Sequence, residues 1–331
     1  MILCRAVLLK LMLVTFVSWV ALLGCFSENK PTFYIGVNHW LGYAPLYLSY
    51  LNSPPKNNEY TVIPLESASD VMTSLRNGTL EAGALTLDEV ITLANEGIEL
   101  DIVLVFDISN GADSLLVKPE VGSIHALRGQ TVAVEYTAVG ALLLTRALEQ
   151  ASMTLSDINL MNCPLNMHVQ CYSKASAVVT FEPEKSTILE LGALELFNSS
   201  QIKGEIIDVL AVRRDVHEKY VSEIQQVIKQ YFKGYEDLYV QQDPKWLNQL
   251  SDFSSLTQEQ LKVAYRGIEA VDIHGNIRLM QGESPKLSDR IAFMKNFLVE
   301  RGLYLIEMDP LLLSTLIIFK GSNEKSLFSQ R

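Results

Sequence analysis

From Thr32 onward short apolar segments alternate with helix-length amphipathic ones, and this rhythm confines the chain to the α/β folds. Residues 33–37, 60–63, 82–85 and 102–106 read as strands. Between them lie a helix from about Ala44 to Leu51, one capped by Ser69 and ended by Gly78, and one opened by the box Thr86-Leu87-Asp88-Glu89 and stopped by Gly97. A second unit repeats the rhythm. Residues 114–117, 131–134 and 177–180 are strand-like, Thr137 caps a helix running to about Ala151, and Pro183 opens a helix closed by Gly192. Residues 206–212 form one further apolar strand that carries the chain back to the first unit. From Asp215 the pattern is nearly all helix, with boxes at 215–218 and 257–260. Val221, Ile224, Ile228, Tyr231 and Phe232 make one apolar stripe expected to pack on the first unit. The expected architecture is α/β and two-lobed, each lobe a mostly parallel sheet flanked by helices, with a helical C-terminal part. The chain contains no internal repeat and no low-complexity linker.

The N-terminus assigns a compartment. Arg5 and Lys10 are the only charges before Glu28, and an apolar run follows up to Cys25. A basic start with a short apolar run reads as a signal peptide; an uncleaved anchor helix is the alternative. Leu22-Leu23-Gly24-Cys25 resembles a bacterial lipobox, which implies lipidation of Cys25 and a periplasmic, membrane-tethered protein. The expected organisation is a signal peptide over 1–24, a linker over 25–31, a first lobe over 32–110, a second over 111–207, and a return to the first lobe with C-terminal helices over 208–331. The chain carries 38 acidic against 27 basic residues, a net charge of −11. An acidic surface argues against nucleic acid as a partner. Of the four cysteines, Cys163 and Cys171 remain after Cys4 and Cys25 are accounted for. An exported protein permits a disulfide between them; two buried thiols are the alternative.

Four segments in order resemble the periplasmic binding proteins for nitrate, sulfonates, taurine and thiamine-pyrimidine precursors. They are Ile35-Gly36-Val37-Asn38-His39-Trp40-Leu41-Gly42-Tyr43-Ala44-Pro45, Leu75-Arg76-Asn77-Gly78-Thr79-Leu80-Glu81-Ala82-Gly83, Leu127-Arg128-Gly129-Gln130-Thr131-Val132, and Ala177-Val178-Val179-Thr180-Phe181-Glu182-Pro183. Glu81 stands near the family's usual Asp, and Ser176 replaces an Asp that the family carries before the last segment. The resemblance implies type II lobes joined by two crossings, hinged near Asn110 and Asp208. It also implies a small-molecule ligand in the cleft, an ABC permease as partner, and a monomer. A membrane sensor protein is the alternative partner.

Ligands of open α/β sheets sit beyond the carboxyl ends of the strands. The candidate contacts are therefore Asn38, His39, Trp40, Tyr43, Ser67, Ser69, Thr86, Asp88, Asp113, Glu135, Tyr136, Thr137, Thr180 and Glu182. Trp40 and Tyr43 can stack a planar ligand, although core packing explains them too. Ser69, Thr86 and Thr137 also read as plain helix caps, Asp113 as a hinge pin, and Glu182 as a cap of its own helix. None of these strand ends carries Arg or Lys, whereas an anion site needs such donors. Carboxylates there suit a nitrogenous ligand, neutral or cationic, over a nitrate or sulfonate. The five histidines are scattered without metal-ligand spacing, and nucleophile-elbow, phosphate-loop and dinucleotide motifs are missing, so no metal, cofactor or catalytic role is expected.

Overall fold

The computed structural model describes residues 32–56, 59–136, 139–281 and 286–300, and the backbone of a strand at 313–315. The signal segment, the lipidation candidate Cys25 and the cap candidate Thr137 lie outside the described residues.

The first sheet is built in chain order from β1 (Phe33–Val37), α1 (Ala44–Asn52), β2 (Tyr60–Pro64), α2 (Ala68–Arg76), β3 (Ala82–Thr86), α3 (Leu87–Asn95) and β4 (Leu100–Ser109). The chain then crosses at residues 110–112 into β5 (Asp113–Val117). β6 (Thr131–Val134), α4 (Val139–Gln150), β7 (Asn159–Asn162), α5 (His168–Lys174), β8 (Ala177–Phe181), α6 (Glu184–Glu190) and β9 (Leu194–Asn198) complete the second sheet. Residues 199–206 return the chain to β10 (Ile207–Arg213). There follow α7 (Arg214–His217), α8 (Val221–Tyr235), α9 (Pro244–Ser254), α10 (Gln258–Tyr265), β11 (Ile268–Ala270), α11 (Ile273–Met280), α12 (Lys286–Glu300) and β12 (Leu313–Thr315).

The strand order is β11-β4-β10-β3-β1-β2, with β12 also on β4, and β7-β6-β8-β5-β9 in the second sheet. Both sheets are mixed but mostly parallel in strand direction, with β10 and β11 reversed in the first and β5 reversed in the second. β10 runs antiparallel between β3 and β4, and β5 runs antiparallel between β8 and β9. The reason is the path of the chain. β4 ends at the cleft, so a strand entering either sheet from the crossing must start there and run away from it, opposite to the strands that end there.

Two local readings are corrected. Ser67, not Ser69, is the N-cap of α2, because its backbone is extended and its Oγ accepts from the Asp70 amide. Ser69 is thereby released from capping and points elsewhere. Asp215 does not open a capping box; it sits in the first turn of α7 and pairs with Arg213. The boxes at Thr86–Glu89 and Thr257–Gln260 are present.

Buried apolar residues of α2, α3, β4, β5, β6 and α4 form one continuous cluster. The opposite face of the first sheet is covered by α1 and α8, whose Ile224, Ile228, Tyr231 and Phe232 are buried while Val221 is only partly so. A side chain at Gly234 would collide with the Pro45 carbonyl, so glycine there lets α8 approach α1. Behind the second sheet, Cys163 and Cys171 are joined by a disulfide.

Candidate functional site

The carboxyl ends of the two sets of parallel strands face each other, and a pocket lies between them. It is lined by Asn38, Trp40, Tyr43, Ala68, Thr86, Glu89 and Asp208 from the first sheet and its helices. Asp113, Glu135, Val139, Gly140, His168, Val179 and Phe181 line it from the second, and Ile206 from the returning crossing. Its walls nearly touch, leaving a cavity of about 20 Å³. That holds little more than one water.

The ladder registers explain how the polar residues meet. Asp208 on β10 is directly opposite Thr86 on β3 and Asp107 on β4, so the three form a row across one end of the sheet. In front of this row the chain leaves β1 through Asn38 and Trp40 into a short 3₁₀ turn, Leu41–Tyr43. The Asn38 side chain accepts from the Trp40 amide at 2.9 Å and fixes the turn. The Trp40 indole then donates to Asp107 Oδ2 at 3.2 Å, and the Tyr43 hydroxyl donates to Asp208 Oδ1 at 2.5 Å. A Cβ at Gly42 would overlap both the Asp107 carboxyl and the Trp40 indole nitrogen. Only glycine lets the turn close over this bond.

The second sheet contributes from the other side. Asp113 opens β5 opposite Phe181, the last residue of β8. The Phe181 ring meets the Trp40 ring edge to face at 5.6 Å, so each sheet offers one aromatic to the pocket. Glu135 follows β6 and accepts from the Ser69 hydroxyl at 2.5 Å and the Ser69 amide at 3.3 Å. Glu89 accepts from the Thr86 amide at 2.9 Å and from the amide of Val139, the first residue of α4, at 3.4 Å. The Ser69–Glu135 and Val139–Glu89 bonds join elements of one sheet to elements of the other.

Electrostatically the pocket is a cluster of carboxyls. Glu89, Asp113, Glu135 and Asp208 line it, with Asp88 and Asp107 buried behind them. No Lys or Arg is among the lining residues. Burial pushes Asp107 and Glu89 up to about 8, Asp113 up to about 7 and Asp88 up to about 6. Asp208 is raised well above the carboxylate range by burial and by the charge of Asp107. Glu135 is raised by burial against the opposing hydrogen bonds from Ser69. Asp113 Oδ2 and Asp107 Oδ1 are buried with no protein donor. The nearby cation is Lys185, which is committed to the Gly111 carbonyl at 2.6 Å and to Glu195 at 2.9 Å. His168 is buried against Thr180, and burial lowers it to about 4, so it faces the pocket neutral. Among the described residues, no group of three or more His, Cys, Asp or Glu is arranged to hold a metal ion.

The structure thus gathers Asn38, Trp40, Tyr43, Thr86, Asp113 and Glu135 at one pocket and brings Ser69 onto Glu135. Other candidates lie off the lining. His39 meets Phe253 edge to face, Tyr136 is 39% exposed, and Ser67 caps α2 while its side chain also bears on Glu135. Glu182 is buried and accepts from the Ser186 amide, Thr180 bonds His168, and Asp88 sits behind Thr86. Glu89, Asp208 and His168 also line the pocket, beyond the candidates read from the sequence. Glu89 had a complete explanation as a cap, and Asp208 joins the site only through the β10 register.

No protein-family model matches the chain, and no curated protein matches it. Solved structures do match in fold. An alkanesulfonate-binding protein from Xanthomonas axonopodis pv. citri bound to MOPS superposes with a TM-score of 0.70 at 14% identity, covering 87% of this chain and 99% of that one. A zinc-bound ligand-binding component of an ABC-type import system from Staphylococcus aureus gives 0.69 at 10% identity, covering 88% and 99%. A Candida albicans protein described as having the generic periplasmic binding protein fold gives 0.63 at 12% identity, covering 85% and 93%. At these identities the likeness shows the fold. The chain has the two-lobed fold of periplasmic binding proteins, and its structural neighbours include the sulfonate binders that its sequence motifs resemble.

Proposed function

We propose that this chain is an exported solute-binding protein that captures a small nitrogenous molecule, neutral or cationic, between its two sheets for an ABC importer. The fold and its neighbours support the binding role. The observation that carries the ligand class is the lining itself: four carboxyl groups and no Lys or Arg. Such a wall accepts hydrogen bonds from N–H groups and, where ionised, repels a sulfonate. Trp40 and Phe181 offer aromatic surface against which a planar group can pack once the cleft opens. The Cys163–Cys171 disulfide supports an oxidising compartment, and the lipobox-like segment ending at Cys25 supports a lipid tether there. Among the described residues no helix is long and apolar enough to cross a membrane.

Calorimetry on the full chain in mild detergent tests the ligand class, with butylamine, benzamidine, an aminopyrimidine and ethanesulfonate as probes. At least one nitrogen donor binds and ethanesulfonate gives no heat of binding. Tight sulfonate binding with no response to the nitrogen donors would overturn the reading.

The bond from Ser69 to Glu135 joins the two lobes only when they are closed, so it acts as a clasp. Ser69→Ala removes the hydroxyl donor and weakens ligand affinity by about 1–2 kcal/mol, roughly tenfold. Small-angle scattering of the unliganded variant shows a larger radius of gyration than the parent. An unchanged affinity and radius would rule the clasp out.

A further inference from the structure

We propose that the Asp107–Asp208 pair holds a proton in the empty pocket, and that the ligand is a cation which enters by exchange for that proton. This deepens the nitrogenous-ligand reading and rests on it. The geometry carries it in three steps. The two carboxyls are opposed across the β4–β10 ladder. Each has a donor on one oxygen, the Trp40 indole for Asp107 and the Tyr43 hydroxyl for Asp208. Asp107 Oδ1 is buried without any protein donor, and Asp107 is wholly shielded from solvent. An ionised pair in that position has like charges in contact and a bare oxygen in a low-dielectric site. A proton on the pair relieves both.

The groups facing the pair reinforce this. Asp88 and Glu89 come from α3, Asp113 from β5, and Glu135 from the end of β6. Tyr231 on α8 and Tyr239 and Tyr265 near α10 add no positive charge. Tyr231 in fact donates its hydroxyl to the Phe106 carbonyl, and Tyr265 donates to the Leu41 carbonyl. Lys185 on α6 is the cation that bears on Asp113, and it is already paired with Glu195. His168 is held neutral by burial. Burial raises Asp107, Asp113, Glu89 and Asp208 alike, so the cluster retains protons near neutral pH. A bound ammonium or amidinium supplies the missing charge. Its N–H replaces the shared O–H as donor to Asp208, and the proton leaves to the buffer.

The sign of the pH effect follows. Carboxyls raised above their unfolded values stabilise the empty protein at low pH, and that contribution is lost as pH rises through about 6 to 8. Cation affinity moves the other way and tightens roughly tenfold per pH unit over the same range.

The test is calorimetry of benzamidine binding to the full chain at about pH 7 in buffers of different ionisation enthalpy. The expected slope of heat against ionisation enthalpy corresponds to release of roughly one proton per ligand. Asp107→Asn provides the second arm. Its amide donates permanently to Asp208, so proton release falls and the pH dependence flattens, an outcome that a purely structural role of Asp107 does not produce. Benzamidine bound without proton release overturns this inference and leaves the nitrogenous-ligand reading standing. Failure of benzamidine and butylamine to bind between pH 6 and 9 overturns the cation assignment, and an aminopyrimidine that binds in its neutral form then preserves only the broader reading.

Discussion

Asp208→Asn separates affinity from stability. The variant loses about 2–5 kcal/mol of binding energy for a cationic ligand, roughly thirty-fold or more in affinity. Its empty form at pH 8 nevertheless melts at or above the temperature of the parent. Asparagine keeps the acceptor for the Tyr43 hydroxyl, which donates to Asp208 at 2.5 Å. It also removes a carboxyl whose ionisation is opposed by burial and by Asp107. A binding site that stores like charges lowers the stability of the fold that contains it, and removing one charge reverses part of that cost. Titration calorimetry and a melting curve on the same preparation read both halves. If affinity and melting temperature fall together, Asp208 supports the fold and is not the ligand's counter-charge.

The second large effect is at Gly42. Alanine there drives its Cβ into the Asp107 carboxyl and the Trp40 indole nitrogen, both held in a buried hydrogen bond. Neither group is the loose end of a flexible chain, so the turn must shift as a whole. Overpacking of this kind costs about 1–3 kcal/mol of stability. The displaced indole leaves the pocket wall, and affinity falls at least roughly tenfold, as for a lost contact of about 1.4 kcal/mol. Gly97→Ala is the control. Its φ of +89° strains any side chain, yet open space surrounds it and it lies away from the pocket. It costs about 1–2 kcal/mol of stability and leaves affinity unchanged. If the two variants bind alike, the turn does not position the site.

Much of the element order was legible because each boundary has a local cause. The Glu89 side chain accepts from the Thr86 amide at the start of α3, and glycines with positive φ stand after α2, α3 and α6. The turn from Asn38 to Tyr43 was legible as a special loop because Trp40, Gly42 and Tyr43 crowd into four residues between a strand and a helix. The reversed strands were not. Whether β10 runs parallel or antiparallel depends on where the chain re-enters the sheet, and no local residue records that. β7 escaped because Asn159–Asn162 is a polar, mostly exposed edge strand with no buried face to impose alternation. The acidic character of the cleft was visible in Asp113 and Glu135. Its concentration was not, because Asp107 and Asp208 are about a hundred residues apart in sequence and meet only through ladder register. The same holds for Ser69, whose role as a lobe-bridging donor depends on Ser67 having taken the cap.

The proposed occupant of the carboxyl-lined pocket between the sheets is a positively charged nitrogen. The most direct measurement is a crystal structure of the protein with benzamidine. The expected result is the amidinium nitrogens within about 2.7–2.9 Å of Asp208 and of Glu89 or Asp113, with the ring packed against Trp40 and Phe181. An empty pocket with the amidine bound elsewhere, or a sulfonate seated among these carboxyls, would contradict it.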